Sequence, residues 1–203
     1  MNNIHQAINF LTATDPNFSL ILEKYGLPNI LVRPEGFATL CKIILEQQVS
    51  LESAKACFDK LDRLTGDFTP RNILGCSDED LRFCGLSRQK ATYVRALAEA
   101  IVNKEIDLTS FRDKAAVEIR SELIKIKGIG NWTIDVYLMF GLQSPDVLPL
   151  GDIGIITTIK ELWQLNNSSS IAALTELWQP HRTTATFMLW HYYLKKRGRV
   201  FQP

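Results

Sequence analysis

Apolar residues recur three and four positions apart along nearly the whole chain, and no stretch alternates apolar with polar residues between hairpin turns. Ile4, Ile8 and Leu11 share one helical face, and Ala91, Val94, Leu97, Ala98 and Ile101 form a longer stripe of the same kind. A 3.6-residue period builds amphipathic helices and cannot be seated on a pleated strand, whose faces alternate residue by residue. Start and stop residues fall at short intervals. Asp15-Pro16 and Thr69-Pro70 read as N-caps followed by proline at the first helical position. Ser50, Ser77, Ser87, Asp113 and Asp152 each precede a helical pattern, while Gly26, Gly66, Gly85 and Gly141 stand where helices stop. The expected fold class is therefore all-α, with roughly ten short helices. The polar tract at 166–170 is expected to be a loop between two of them.

Composition narrows the class without naming a function. Of 203 residues, 46% are hydrophobic and 22% charged, which excludes disordered and collagen-like chains. Lys and Arg total 23 against 22 Asp and Glu, a net charge of +1. A polyanion partner would therefore be gripped through a small face rather than the whole surface. Cysteines 41, 57, 76 and 84 form no C-x-x-C pair, so neither a disulfide framework nor an iron–sulfur cluster is expected. No run approaches the ~20 apolar residues of a membrane span, and no signal-like segment opens the chain, so a cytoplasmic protein with reduced thiols is expected.

The most informative segment is the stretch E-L-I-K-I-K-G-I-G-N-W-T-I-D-V-Y at 122–137. An apolar helix ends in a Gly128-Ile129-Gly130 turn and a second amphipathic helix begins at once. Two glycines around one apolar residue permit positive φ and close approach of a foreign backbone. The second helix then presents unpaired N–H groups and the positive end of its dipole, a seat for a phosphate. Lys125 and Lys127 lie just before the turn. A plain inter-helix turn is the alternative for Gly-x-Gly alone.

This segment resembles the hairpin of the helix-hairpin-helix (HhH-GPD) DNA glycosylase superfamily, and specifically its 3-methyladenine DNA glycosylase II family. Three further blocks carry the resemblance in order: 37–54 with its Q-Q-V-S tetrad, C-G-L-S-R-Q-K-A from Cys84, and P-H-R-T-T-A from Pro180. The hairpin block itself runs on through L-P-L-G-D-I-G to Gly154. The resemblance covers most of the chain and is closest to the compact form that lacks an N-terminal β domain. It implies a two-lobed bundle with an active cleft between the lobes. One lobe comprises 1–34 with 144–203 and carries the catalytic Asp; the other, 35–143, carries the hairpin.

By the same resemblance, Asp152 is the catalytic carboxylate. Breaking an N-glycosidic bond builds positive charge on the sugar, and a fixed anion stabilises that oxocarbenium ion and orients water. Asp152 also reads as a simple N-cap, a role compatible with the first. Asp146 and Asp135 are the rival carboxylates. Trp132 stands where strand-cutting relatives carry a Schiff-base lysine, so hydrolysis without lyase activity is implied.

The implied substrate is a flipped-out alkylated purine of the 3-methyladenine or 7-methylguanine class in double-stranded DNA. Such cationic bases suit an electron-rich aromatic pocket, for which Trp132, Tyr137 and one C-terminal aromatic are candidates. Gln48 is the implied wedge, on a loop ending at Ser50. Arg88, Lys90, Arg182 and the basic tail 195–199 are candidate phosphate contacts, with a solvated surface as the alternative. The resemblance implies no required cofactor, and a monovalent cation (Na+ or K+) on the carbonyls of Ile124, Ile126 and Ile129. A monomer bound to the nucleoid through DNA is expected. The rival readings are a non-catalytic hairpin module that recognises DNA structure, and a glycosylase for deaminated or etheno bases.

Overall fold

The structure of the protein, a computed structural model, describes residues 2–199. Among the described residues the chain is helical, without a strand. In order, the elements are α1 (Asn2–Thr14), α2 (Pro16–Tyr25), α3 (Phe37–Glu46), α4 (Leu51–Thr65), α5 (Pro70–Gly75), α6 (Asp78–Phe83), α7 (Arg88–Val102), a 3-10 turn (Leu108–Asp113), α8 (Ala116–Leu123), α9 (Asn131–Phe140), α10 (Ile153–Trp163), α11 (Ser168–Glu176) and α12 (Arg182–Lys195). No helix among them is long and apolar enough to cross a membrane, and the four cysteines are free thiols.

Side-chain caps set most of these starts. Asp15 accepts the Asn17 N–H, Ser50 that of Ser53, Thr69 that of Asn72, Ser77 that of Asp80 and Ser87 that of Lys90. Each such cap contributes about 1 kcal/mol by satisfying a backbone donor that no carbonyl reaches. Two expectations fail. Asp113 starts no helix: it closes the 3-10 turn that Asp107 caps, and α8 begins after Ala115, whose N–H is taken by Glu118 two residues into the helix. The serines at 168–170 are not a loop but the first turn of α11, capped by Asn167. Short polar side chains are tolerated there because first-turn N–H groups are unbonded.

The chain divides into two compact units: Met1–Val32 with Gln143–Pro203, and Arg33–Leu142. In the first, α10, α1 and α2 all pack on α12. Phe18 meets Trp163 and Trp178 edge-on at 5.7 and 5.1 Å, and the Trp163 indole donates to Asp15 at 2.6 Å. Trp178 is fully buried, with no hydrogen-bond partner for its indole N–H among the described residues, while Trp163 is half-buried at the edge of this core. In the second unit, α3 packs on α4, α7 and α9, while α5 and α6 cover α7 and α8 covers α9. Leu40, Ile43, Ile44, Leu61, Val94, Leu97, Ile134 and Leu138 are fully buried. At about 1.5–3 kcal/mol per buried side chain, this interior holds the segment between α8 and α9 on a rigid base.

Candidate functional site

The hairpin lies between α8 and α9. Ile129 N–H donates to Ile126 at 3.0 Å, closing the turn, and Gly128 takes φ +91°. A β-carbon on Gly128 would lie 2.0 Å from Cγ of Tyr93, so the glycine is required by contact as well as by conformation. Arg120 of α8 reaches both Asn131 and Asp135 of α9, which locks the two helices across the turn. Burial raises the Asp135 pKa and the arginine opposes that rise. Asp135 is thus a helix-pairing residue and not a rival catalyst.

Gly130 stands at the N-cap of α9 and supplies no side-chain cap to its first turn. The turn borders a depression of about 490 Å³ lined by Gln47, Gln48, Gln89, Lys90, Tyr93 and residues 124–130. Lys125 and Lys127 are exposed, and among the described residues neither has a carboxylate within ion-pair reach. Backbone donors and unpartnered cations at one turn are what a phosphate needs.

The Q-Q-V-S loop is sewn to this turn by a residue that motif reading passed over. Gln47 Nε2 donates to Gly128 O at 3.0 Å and to Thr133 Oγ1 at 2.9 Å. Gln48 follows in the left-handed region, φ +59°, and is exposed. Ser50 caps α4. The loop therefore presents Gln48 outward on a fixed stem. Gln89 and Tyr93, bonded to each other at 2.6 Å, complete the depression; only the one-turn spacing on α7 hinted at them.

Three candidates are corrected within the two units. Lys90 does not offer its charge to a ligand: Nζ donates to Leu45 O at 2.6 Å, at the carbonyl end of α3, and burial lowers its pKa. Tyr137 is no pocket wall. It is fully buried, its hydroxyl accepts the Gly36 N–H at 3.0 Å, and its ring meets Phe111 edge-on. Arg182 grips Asp146 through Nε and Nη2, both at 2.8 Å, with Nη1 at 3.3 Å from Glu176. That pair removes Asp146 as a rival carboxylate as well. Arg88, in contrast, is exposed and has no carboxylate in reach among the described residues. In the basic tail, Lys196 pairs with Glu161 and Arg197 lies over the Tyr193 ring at 3.7 Å. Trp132, the other pocket candidate, stands half-exposed in the first turn of α9.

Asp152 caps α10. Its Oδ1 accepts Gly154 N–H at 2.9 Å, Ile155 N–H at 3.1 Å and the Trp190 indole N–H at 3.0 Å. Gly154 packs tightly here: a β-carbon would lie 3.1 Å from Oδ1 and 3.2 Å from the Tyr193 ring. Gly154 therefore lets the carboxylate seat closely, whereas a β-carbon on Gly151 would meet open space. The loop before it is fastened to the first turns of α12. Val147 N–H donates to Thr183 Oγ1, which donates to Ser144 O, and Thr186 Oγ1 reaches Val147 O at 3.2 Å. Thr183, Thr186 and Trp190 share one helical face, so the P-H-R-T-T-A block serves to hold the carboxylate.

Residues 41–182 match the HhH-GPD superfamily of base excision DNA repair proteins, and the chain belongs to that family. DNA-3-methyladenine glycosylase 1 of Schizosaccharomyces pombe is 28% identical over 190 residues, 89% of this chain and 83% of the relative. Endonuclease III of Sulfolobus acidocaldarius is 30% identical over 171 residues, 80% of this chain and 72% of the relative. Among solved structures, the S. pombe 3-methyladenine DNA glycosylase in complex with abasic DNA has a TM-score of 0.82 at 28% identity, covering 91% of this chain and 95% of that one.

Proposed function

We propose that the protein is a monofunctional DNA glycosylase that removes alkylated purines from duplex DNA, acting as a monomer. The observation that carries this reading is Asp152: a carboxylate whose Oδ1 is oriented by two backbone amides and an indole, in a chain of this family. As the C1′–N bond breaks, its electron pair leaves with the base, neutralising the cationic purine. Positive charge grows on the sugar, and the carboxylate stabilises it. Water then bonds to C1′ and gives up a proton, leaving an abasic sugar. A base already cationic needs no general acid.

Trp132 supports hydrolysis over strand cleavage, because indole cannot form a Schiff base. It offers an aromatic face to the cationic base. Gln48 supplies the wedge, and the hairpin amides with Lys125 and Lys127 hold the backbone. The carbonyls of Ile124, Ile126 and Ile129 stand on the non-helical stretch of the turn, and the Ile126 oxygen keeps a second lone pair beside its bond to Ile129. Neutral hard oxygens of this kind fit a monovalent cation. When bound, it would add positive charge at the phosphate seat without entering the chemistry.

The test is release of 3-methyladenine and 7-methylguanine from methylated duplex, with abasic sites scored separately from nicks. Asp152→Asn is expected to keep duplex affinity and lose base release by about 10³-fold. Neither protein is expected to nick. Nicking by the wild type would replace this reading with that of a lyase, as the endonuclease relative makes worth checking. A folded, duplex-binding wild type that releases no methylated base, hypoxanthine or ethenoadenine would point to the non-catalytic module.

A further inference from the structure

The face of α12 that holds the Asp152 loop does not stop at Trp190. Thr183, Thr186, Trp190 and Tyr193 lie within about 80° of one another around the helix, and Arg197 follows one turn further on. A β-carbon at Gly154 would meet two groups at once, Asp152 Oδ1 at 3.1 Å and Tyr193 Cδ1 at 3.2 Å. Tyr193, half-buried, therefore stands beside the carboxylate. The Arg197 guanidinium lies on the Tyr193 ring, 3.7 Å from its centroid, and Nη1 donates to Tyr193 O at 2.9 Å. Carboxylate, ring and guanidinium thus form one row within one unit of the fold.

Other cations of this helix are held by protein acids. Arg182 grips Asp146 and Glu176, and Lys196 pairs with Glu161, which also takes the Tyr192 hydroxyl. Lys196 and Tyr192 do most to hold the Glu161 pKa down, and Arg197 adds a weaker pull. Arg197 itself is exposed, and among the described residues no carboxylate lies within ion-pair reach of it. Its bond to the Tyr193 carbonyl uses one of the five N–H donors that a guanidinium carries. The ring covers a face of the group and leaves the edge, where the donors point, to a ligand. Closing a helix end needs a carbonyl but no ring. The stacking fixes the direction of a charge that the fold leaves uncompensated.

The neighbouring carboxylate says which anion is needed. In a glycosylase the sugar of the flipped nucleotide faces Asp152, and that sugar carries a phosphate on either side. Phosphates and carboxylate are like charges brought to one place, and their repulsion opposes seating of the nucleotide. A cation across one tyrosine ring from the carboxylate offsets that repulsion, and a guanidinium edge matches phosphate oxygens bidentately. We propose that Arg197, seated on Tyr193, binds a phosphodiester of the target nucleotide itself and so positions its sugar against Asp152. This rests on the glycosylase reading. It is a different seat from the hairpin, whose residues 124–130 belong to the other unit.

The experiment is fluorescence anisotropy on two duplexes, one undamaged and one carrying a tetrahydrofuran abasic-site analogue. Arg197→Gln is expected to weaken binding of the abasic duplex about tenfold, and to lower its salt slope by about one. Binding of the undamaged duplex should fall by under about twofold, because no flipped nucleotide reaches Asp152. Lys195→Gln removes the same charge roughly 140° around the helix from Trp190, and is expected to cost under about twofold on both duplexes. A neutral methylphosphonate at one linkage flanking the analogue should cost the wild type the same tenfold and Arg197→Gln almost nothing further. A purely structural Arg197 would not produce that non-additivity. Equal losses on the two duplexes, no loss at all, or additive losses at both linkages would overturn the proposal. A wild type that binds the abasic duplex no better than the undamaged one would sink the glycosylase reading and the inference with it. A wild type that prefers the abasic duplex, with Arg197→Gln unchanged, would sink the inference alone.

Discussion

The hairpin and the Asp152 region use charge in opposite ways. Around residues 124–130 an uncapped helix start meets Lys125 and Lys127, which have no carboxylate in ion-pair reach among the described residues, so the turn is suited to an anion. Around Asp152 the neighbouring polar groups are held by protein: Asp146 by Arg182, the preceding loop by Thr183 and Thr186, and the carboxylate itself by three N–H donors. A group that must grip a mobile polyanion works best unpaired and hydrated, since its counterion is the ligand. A group that must meet a developing charge works best immobilised, since reorganisation during the reaction would cost barrier height. The difference teaches that a cation's sequence position is a poor guide to its task; its partners decide.

The sharpest way to break the comparison is at Gly128. Alanine there would place a β-carbon 2.0 Å from the Tyr93 ring at a φ of +91°. The near end of a ring cannot swing away, so the turn must deform, at about 3 kcal/mol. Duplex binding is expected to disappear while Asp152 keeps its donors. Thermal unfolding and anisotropy would check this, and the double change with Tyr93→Ala should recover part of the stability but not all of the binding.

Next in size is Trp190→Phe, which removes the indole donor to Asp152. Losing one hydrogen bond to a charged acceptor is expected to lower kcat about tenfold with KM within about twofold. A lowered unfolding temperature with unchanged kcat would make Trp190 a packing residue only, and would weaken the contrast between an immobilised carboxylate and an open, basic turn.

The charge contrast itself is tested by pairing two variants. Arg182→Gln is expected to cost about 2 kcal/mol of stability, because Asp146 loses a bidentate partner, and to leave the salt dependence of duplex binding alone. Lys125→Gln with Lys127→Gln is expected to do the reverse, lowering the salt slope by about two at unchanged unfolding temperature. A changed slope in Arg182→Gln would mean that Arg182 meets DNA despite its pairing with Asp146.

Much of this was legible in the residues. The helical period, the caps at Asp15, Ser50, Thr69, Ser77 and Ser87, and the Gly-Ile-Gly turn all act locally, through bonds spanning two to four residues, so the string contains them. What the string did not contain was partnership across distance. Lys90 meets a carbonyl 45 positions away, Gly36 meets the Tyr137 hydroxyl 101 positions away, and Gln47 meets Gly128 across 81. Arg182 and Lys90 looked like Lys125 because a basic residue reads the same with or without a partner. Asp113 misled for the converse reason: a good capping residue was present, but Glu118 reached back first.

Gln47 offers the finest test, because its contribution is positional. Its amide bridges the stem of the proposed wedge loop to the hairpin turn through two hydrogen bonds, so Gln47→Ala should let Gln48 wander rather than remove a proposed DNA contact. Base release is expected to fall about threefold to tenfold, the scale of one or two neutral hydrogen bonds. If Gln47 acts only by placing Gln48, then adding Gln47→Ala to Gln48→Ala should cost almost nothing further, and the cycle will be strongly non-additive. Additive losses would mean that Gln47 matters chiefly to the hairpin itself, by holding the Gly128 carbonyl and Thr133. The loop would then belong with the anchor rather than the wedge, and the boundary between the open and the immobilised parts of the molecule would have to be redrawn at residue 47.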